Sequence, residues 1–307
     1  MENIDERALL RQFNPKKSLA QNFLTDEVHL NAIARSANLA KTDTVLEIGP
    51  GLGVLTKYLA AEAGRVVAVE LDDRLIEFLK YRFSDQPHVS IVHSDILKTD
   101  ISSLLNAADI STMATSNPIH AEQSGVFKKS SAEENSTKIS YKAVANIPYY
   151  ITSKVLRFLL EADLSPTVAV LLMQKEVAQR ICATPGNLSV LAVSVQFYAE
   201  AEIVHHIPAT AFYPQPKVDS AVLRLNVLPS PAVEGVDPKQ FFRVVKAGFS
   251  QKRKQLLNSI SAGLQLAKVD AVTALDQAQI DPKRRAETLT IAEWGNLCRV
   301  LTEAEIV

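Results

Sequence analysis

The stretch Val45-Leu46-Glu47-Ile48-Gly49-Pro50-Gly51-Leu52-Gly53 decides the fold. A short apolar strand runs into three alternating glycines. Val54, Leu55, Tyr58 and Leu59 follow at helical spacing, so a helix opens at the turn. Strand, glycine turn and helix open a nucleotide-binding βαβ unit. Glycine lets the backbone approach a ligand that a Cβ would hold off.

The turn also narrows the choice of ligand. A dinucleotide fingerprint, G-x-G-x-x-G/A, needs Gly or Ala where Val54 or Thr56 stands, and a phosphate loop needs Gly-Lys-Ser/Thr, which is absent. What remains is E-x-G-x-G-x-G, with the acid Glu47 before the turn. That pattern suits a nucleoside that lacks a pyrophosphate and carries a positive centre, such as S-adenosylmethionine. A tight βα turn that binds nothing is the competing reading.

The second strand, from Arg65, ends in Glu70, where a carboxylate can accept both hydroxyls of a ribose. Asp72 is the expected cap of the helix after it. A third strand, from Val89 to Val92, leads into Asp95 at its carboxyl end, within reach of an adenine amino group. Taken alone, Asp95 reads rather as a surface loop acid. Further on, a strand ends in Asn146-Ile147-Pro148-Tyr149. Asn146 supplies a carbonyl acceptor, Pro148 fixes the turn through its φ, and Tyr149 offers a flat ring. Together they can hold an extruded adenine by its exocyclic amine. An Asx-turn at a βα junction is the plainer alternative. Phe212, in Phe212-Tyr213-Pro214-Gln215-Pro216, is a candidate second wall for the base, or else the buried anchor of a stiff loop.

Composition sets the frame. The chain has 307 residues, 47% of them hydrophobic, enough for one large domain and a smaller one. No apolar run is long enough for a membrane span, and the opening MENIDERALLRQF is charged and carries no signal region. Cys182 and Cys298 stand apart and read as reduced, buried thiols of a cytoplasmic protein, with no metal-ligand pairing. The net charge of -1 means that any nucleic-acid surface must be local. Two such surfaces are present: Lys16 and Lys17 in an irregular arm before a helix from about Asp26, and Lys252, Arg253 and Lys254 near a helix start, with Lys283-Arg284-Arg285 downstream. A solvated face is the usual meaning of such runs.

Leu188 to Phe197, Glu202 to Ile207 and Val218 to Asn226 read as strands, the last two as a long-looped hairpin. Residues from about 102 to 140, including His120, are rich in Ser, Thr, Asn and Glu without a period, and read as a mobile insertion. Leu228-Pro229-Ser230-Pro231 reads as a linker to a helical region.

The motifs KKSLAQNFL (16–24), EIGPGLGVLT (47–56), VVAVELD (66–72), HSDIL (93–97), NIPYYI (146–151), MQKEV (173–177), FYPQPKVDSAVLRL (212–225) and FSQKRKQLLN (249–258) run in a familiar order. The chain resembles the KsgA-type small-subunit ribosomal RNA adenine dimethyltransferase family over nearly its full length outside the insertion. The resemblance implies a Rossmann-like seven-stranded methyltransferase sheet at 1–228 and a small all-helical RNA-binding domain at 229–307. It implies transfer of methyl groups from S-adenosylmethionine to the N6 amines of two adjacent adenosines in the 3′-terminal hairpin loop of 16S ribosomal RNA. The product is S-adenosylhomocysteine, and the expected setting is a small-subunit assembly intermediate bound by a monomer. The cofactor-contact positions fall on Asn22, Leu24, Gly49, Gly51, Glu70, Asp95 and Asn146. The catalytic set is Asn146, Pro148, Tyr149 and Phe212. Ala20 stands where the family usually has Gly, the segment 185–189 is shortened, and the interval from Asp95 to Asn146 is longer than in relatives. The rivals are a large-subunit adenine methyltransferase of the macrolide-resistance type and a non-catalytic assembly factor on the same fold. Phe249-Ser250 before Lys252-Arg253-Lys254 favours the small-subunit reading over the first, and the intact site motifs argue against the second.

Overall fold

The computed structural model describes residues 22–106 and 139–307. Lys16, Lys17, Ala20 and His120 therefore lie outside the described residues. The main sheet has seven strands: β2 (Thr44–Ile48), β3 (Arg65–Glu70), β4 (Val89–His93), β5 (Lys142–Asn146), β6 (Val168–Gln174), β7 (Ala199–Ile207) and β9 (Ser220–Val227). Their order is β4-β3-β2-β5-β6-β9-β7. The first five are parallel, and β9 lies antiparallel between β6 and β7. The order reverses between β2 and β5, so the ligand crevice of such a sheet belongs at their carboxyl ends. A two-stranded sheet joins β1 (Phe23–Leu24) to β8 (Phe212–Tyr213). The expected irregular arm thus ends in a strand.

Both faces of the sheet are buried, because successive side chains point to opposite sides. Val45, Val66 and Val144 pack with α1 (Glu27–Ser36), α2 (Val54–Glu62) and α3 (Asp73–Arg82) on one face. Leu46, Val67 and Ala143 pack on the other with α4 (Ile101–Asn106) and α5 (Thr152–Leu160). α4 corrects the expected bounds of the insertion: residues 102–106 are helical, with Leu104 and Leu105 in the core. At the far end Ile139 packs, partly buried, against the same core. The polar composition of the stretch hid these apolar ends.

The second correction concerns Leu188 to Phe197. Residues Val190–Gln196 form helix α7, which follows the short helix α6 (Lys175–Ile181). Its alternating valines imitate a strand, but Ser189 caps it by accepting from the Ala192 N–H. The helix is apolar nearly all round because it is packed on two sides. Val195 belongs to the sheet core, while Ala192, Val193 and Phe197 belong to the core of the helical region. That region comprises α8 (Pro238–Gly248), α9 (Leu256–Leu264), α10 (Lys268–Gln277) and α11 (Ile291–Glu303) around a fully buried Trp294. Phe197 stacks on Phe241 of α8 with ring centroids 4.2 Å apart. The segment read as a linker is pinned to the same helix end: Leu228 N–H donates to Tyr198 O at 2.8 Å and Ala232 N–H to Phe197 O at 2.8 Å.

Of the two cysteines, Cys298 is buried as expected, whereas Cys182 is only partly so. No helix among the described residues is long and apolar enough to cross a membrane.

Truncating the ring that the end of α7 sets into the helical core should be costly. Phe197→Ala is expected to lower unfolding free energy by about 3–5 kcal/mol, read from the urea midpoint at unchanged slope. A loss below about 1 kcal/mol would mean that the helical core does not depend on this ring.

Candidate active site

One cleft at the carboxyl ends of β2, β3 and β5 gathers the ten residues assigned from the sequence to cofactor and base. Asn22, Leu24, Gly49, Gly51, Glu70, Asp95, Asn146, Pro148, Tyr149 and Phe212 all line it. They come from segments spread across 190 positions, and the sheet register brings them together. Lys252, Arg253 and Lys254 are not part of it. They stand exposed in the turn before α9.

The glycine turn supplies the floor. Gly49, Gly51 and Gly53 have φ of 70°, 60° and 75°, in the left-handed region that side chains disfavour. A Cβ on Gly53 would also stand 2.6 Å from the Phe83 ring. The turn passes beside the end of β5, close to the backbone carbonyl of Asn146.

Glu70 does more than the sequence indicated. Its Oε2 accepts from the Gly51 N–H at 3.0 Å, and its Oε1 accepts from Leu71 and Asp72 N–H, each at 2.8 Å. The side chain therefore ties the glycine turn to the end of β3. A carboxylate has about four lone-pair sites, so three backbone bonds leave room for one more donor. Burial raises the Glu70 pKa, the three N–H donors oppose that, and the Asp72 charge adds to it.

Glu47 is 1% exposed, and its Oε2 finds no partner among the described residues. Desolvation pushes its carboxyl up to about 8 from 4.5. The Thr56 hydroxyl partly offsets this without reaching good hydrogen-bonding geometry, and the Glu70 charge adds to the rise. Asp95 caps the turn after β4, its Oδ1 accepting from the Leu97 N–H at 3.1 Å. Among the described residues its Oδ2 has the exposed Lys98 ammonium at 3.5 Å and no other partner, so it can take a further donor. Leu71, 50% exposed, and Ile96 add apolar flanks.

Asn146 ends β5 and makes no side-chain hydrogen bond among the described residues, so its amide is free for a ligand. Tyr149 opens a tight 3-10 turn, Tyr149–Ile151, ahead of α5, and its hydroxyl lies 2.7 Å from that of Ser220. Phe212 is 5% exposed, held by the pairing of β8 with β1. Sequence reasoning missed Ser220, which carries no signal in an apolar strand.

Lys252-Arg253-Lys254 has a neighbour that the sequence separates from it. Leu256 N–H donates to Arg284 O at 2.7 Å, and Leu257 N–H donates to Pro282 O at 3.2 Å. The exposed Lys283 and Arg285 are thus brought beside the exposed Lys252, Arg253 and Lys254. Arg284 is committed elsewhere, to Glu293 and Thr288.

The cleft fits a nucleoside with a cationic centre. Among the described residues three carboxyl groups and no Lys or Arg line it, which opposes a polyphosphate, and one buried Glu47 oxygen has no partner. A Cβ on Gly51 would meet Phe23 at 3.0 Å, so the floor stays open only with glycine there.

Sheet and cleft define a Rossmann-like methyltransferase. A solved dimethyladenosine transferase from Plasmodium falciparum matches the fold with a TM-score of 0.72, at 23% identity, over 92% of this chain and 98% of that one. A solved 23S rRNA methyltransferase, ErmE, matches with a TM-score of 0.66, at 27% identity, over 91% and 99%. The chain belongs to the ribosomal RNA adenine dimethylase family, whose model matches residues 12–302. It is 43% identical over 288 residues to the ribosomal RNA small subunit methyltransferase A of Dehalococcoides mccartyi, covering 94% of this chain and 89% of that protein.

The Glu47 carboxyl gives the site a pH signature. Between about 4.5 and about 8 the folded chain holds a proton that the unfolded chain releases, so stability falls as pH rises through that window. Glu47→Gln should flatten the fall, seen as a melting temperature that drops less from about pH 5 to about pH 8 than that of the wild type. Parallel curves would mean that Glu47 is ionised in the folded chain.

Proposed function

We propose that this protein transfers methyl groups from S-adenosylmethionine to N6 amines of adenosine in 16S ribosomal RNA, giving N6,N6-dimethyladenosine. The observation that carries the reading is the convergence of the acidic glycine-turn cleft with a free Asn146 amide and the Tyr149 ring. Family membership and the 43% identity to a small-subunit enzyme support it over a large-subunit target, where a solved enzyme stands at 27%.

S-adenosylmethionine, held by Asn22, Leu24, Gly49, Gly51, Glu70 and Asp95, supplies an electrophilic methyl group. Glu70 takes one ribose hydroxyl while keeping the glycine turn in place, and Asp95 takes the adenine amino group. Glu47, buried in the same cleft, gives up its proton when a cationic centre lies beside it and then pairs with that charge. On the other side, an extruded target adenine lies against Tyr149, with Phe212 as the second wall. Its amine is a poor nucleophile, because the lone pair is delocalised into the ring. Asn146 and a neighbouring backbone carbonyl accept its two N–H groups and favour a pyramidal nitrogen with the lone pair free. That contact strengthens as the transition state is reached, which is what accelerates a reaction. Pro148 fixes the turn that carries both residues. The amine proton leaves after the methyl has arrived, so no strong base is needed beforehand.

The finer reading is that the targets are two adjacent adenosines in the 3′-terminal hairpin loop, met by a monomer in the cytoplasm on a small-subunit assembly intermediate. Residues 1–228 form the methyltransferase part and 229–307 the RNA-binding part. Lys252, Arg253 and Lys254, extended by Lys283 and Arg285, hold phosphates, with Lys16 and Lys17 as further contacts.

The direct test uses labelled S-adenosylmethionine with under-methylated 30S or 50S particles, followed by mapping of the labelled base. Label confined to N6 of 16S adenosines is expected; label on 23S RNA would transfer the reading to the large subunit. Asn146→Ala should slow single-turnover transfer by about 100-fold or more, in line with loss of a transition-state contact, with RNA binding nearly intact. A rate within about twofold of wild type would remove Asn146 from this role. Replacing Lys252, Arg253 and Lys254 with alanine should reduce the slope of log affinity against log salt by about two to three, because phosphate contacts release counterions. An unaltered slope would leave the patch as a solvated surface.

A further inference from the structure

The two ring walls of the base slot come from loops that are distant in sequence. Tyr149 sits in the turn after β5, and Phe212 forms β8 within the long connection from β7 to β9. Nothing in either loop alone sets the gap between the rings. Both loops are tied to one place, the first residue of β9 and the residue before it.

Ser220 is fully buried, at 0% exposure, and opens β9. It is held in register from both sides, opposite Gln174 of β6 and Ile207 of β7, so its hydroxyl has a fixed position. That hydroxyl and the Tyr149 hydroxyl lie 2.7 Å apart, one donating to the other, across 71 residues of sequence. The neighbouring Asp219 holds the other loop. Its Oδ1 accepts from the Ala209 N–H at 3.0 Å, three residues before Phe212, and its backbone carbonyl accepts from the Lys175 N–H at 3.0 Å. Ala221, Val222 and Leu223 continue the strand as fully buried apolar residues. A hydroxyl in such a strand costs stability unless it is bonded, and packing alone would be served by alanine. Ser220 does not line the cleft, so it cannot act on a ligand directly.

We infer that Ser220 is a positioning residue for methyl transfer: its buried hydroxyl fixes the Tyr149 ring, and together with Asp219 it sets the spacing of the two walls that grip the target base. The inference rests on the reading of Tyr149 as a base-holding ring. Displacement of a gripping group by even about 1 Å is enough to cost substantial rate, so loss of the tether is felt in chemistry and not in cofactor binding.

The test is a double-mutant cycle on single-turnover transfer to 16S RNA in under-methylated 30S particles, with S-adenosylmethionine affinity measured by calorimetry. Ser220→Ala and Tyr149→Phe should each slow transfer by about tenfold at unchanged cofactor affinity. The double variant should be no slower than either single one, because both remove the same bond. Asp219→Ala should slow transfer more mildly, and Asp219→Asn, which keeps an acceptor oxygen, should restore it. A folded Ser220→Ala enzyme within about twofold of the wild-type rate overturns the inference, as do losses that multiply in the double variant. If Ser220→Ala does not fold, Tyr149→Phe breaks the bond from the cleft side and decides alone. Tyr149→Ala separates the two levels. If it is slow while Tyr149→Phe is fast, the tether is idle and the base-holding reading stands; if it too is fast, the base-holding reading fails and the tether with it.

Discussion

The site depends on one carboxylate that accepts three backbone N–H groups. Glu70 ends β3, yet its side chain reaches across to Gly51 and back to Leu71 and Asp72. A glycine-rich turn is entropically expensive to order, and here a charged acceptor orders it from the neighbouring strand. The bonds are charge-assisted and largely removed from water, where such contacts are strongest. They set the floor of the cleft beside Asn146, so its shape is fixed by the sheet and not by a mobile loop.

Much of this was legible in the sequence, for physical reasons. The apolar run before Gly49 and the helical spacing after Gly53 permit only a strand–turn–helix unit, and carboxyl ends of parallel strands put Glu70, Asp95 and Asn146 on one side. Asp26 and Asp72 cap their helices as local rules require. What stayed hidden depends on contacts between distant segments. α7 reads as a strand because its valines alternate, and only its double packing accounts for an all-apolar helix. Leu104 and Leu105 sit too close to a polar stretch to register as core. The backbone bonds of Glu70, the Ser220 hydroxyl and the meeting of Lys283 with the Lys252 turn require register, which periodicity does not supply.

The helical region is joined to the sheet through shared burial. Phe197 lies in the helical core while Val195, two residues earlier, lies in the sheet core. Leu228 and Ala232 hydrogen-bond to the end of the same helix. The basic turn before α9 is therefore carried on a region that is packed and hydrogen-bonded onto the sheet.

Charge is divided sharply over this surface. Among the described residues three carboxyl groups line the cleft without a basic side chain, while exposed lysines and arginines gather on the helical region. A nucleic-acid chain has its own division, with anionic backbone and neutral bases. A polyanion and a neutral or cationic small molecule are therefore drawn to different parts of one described surface.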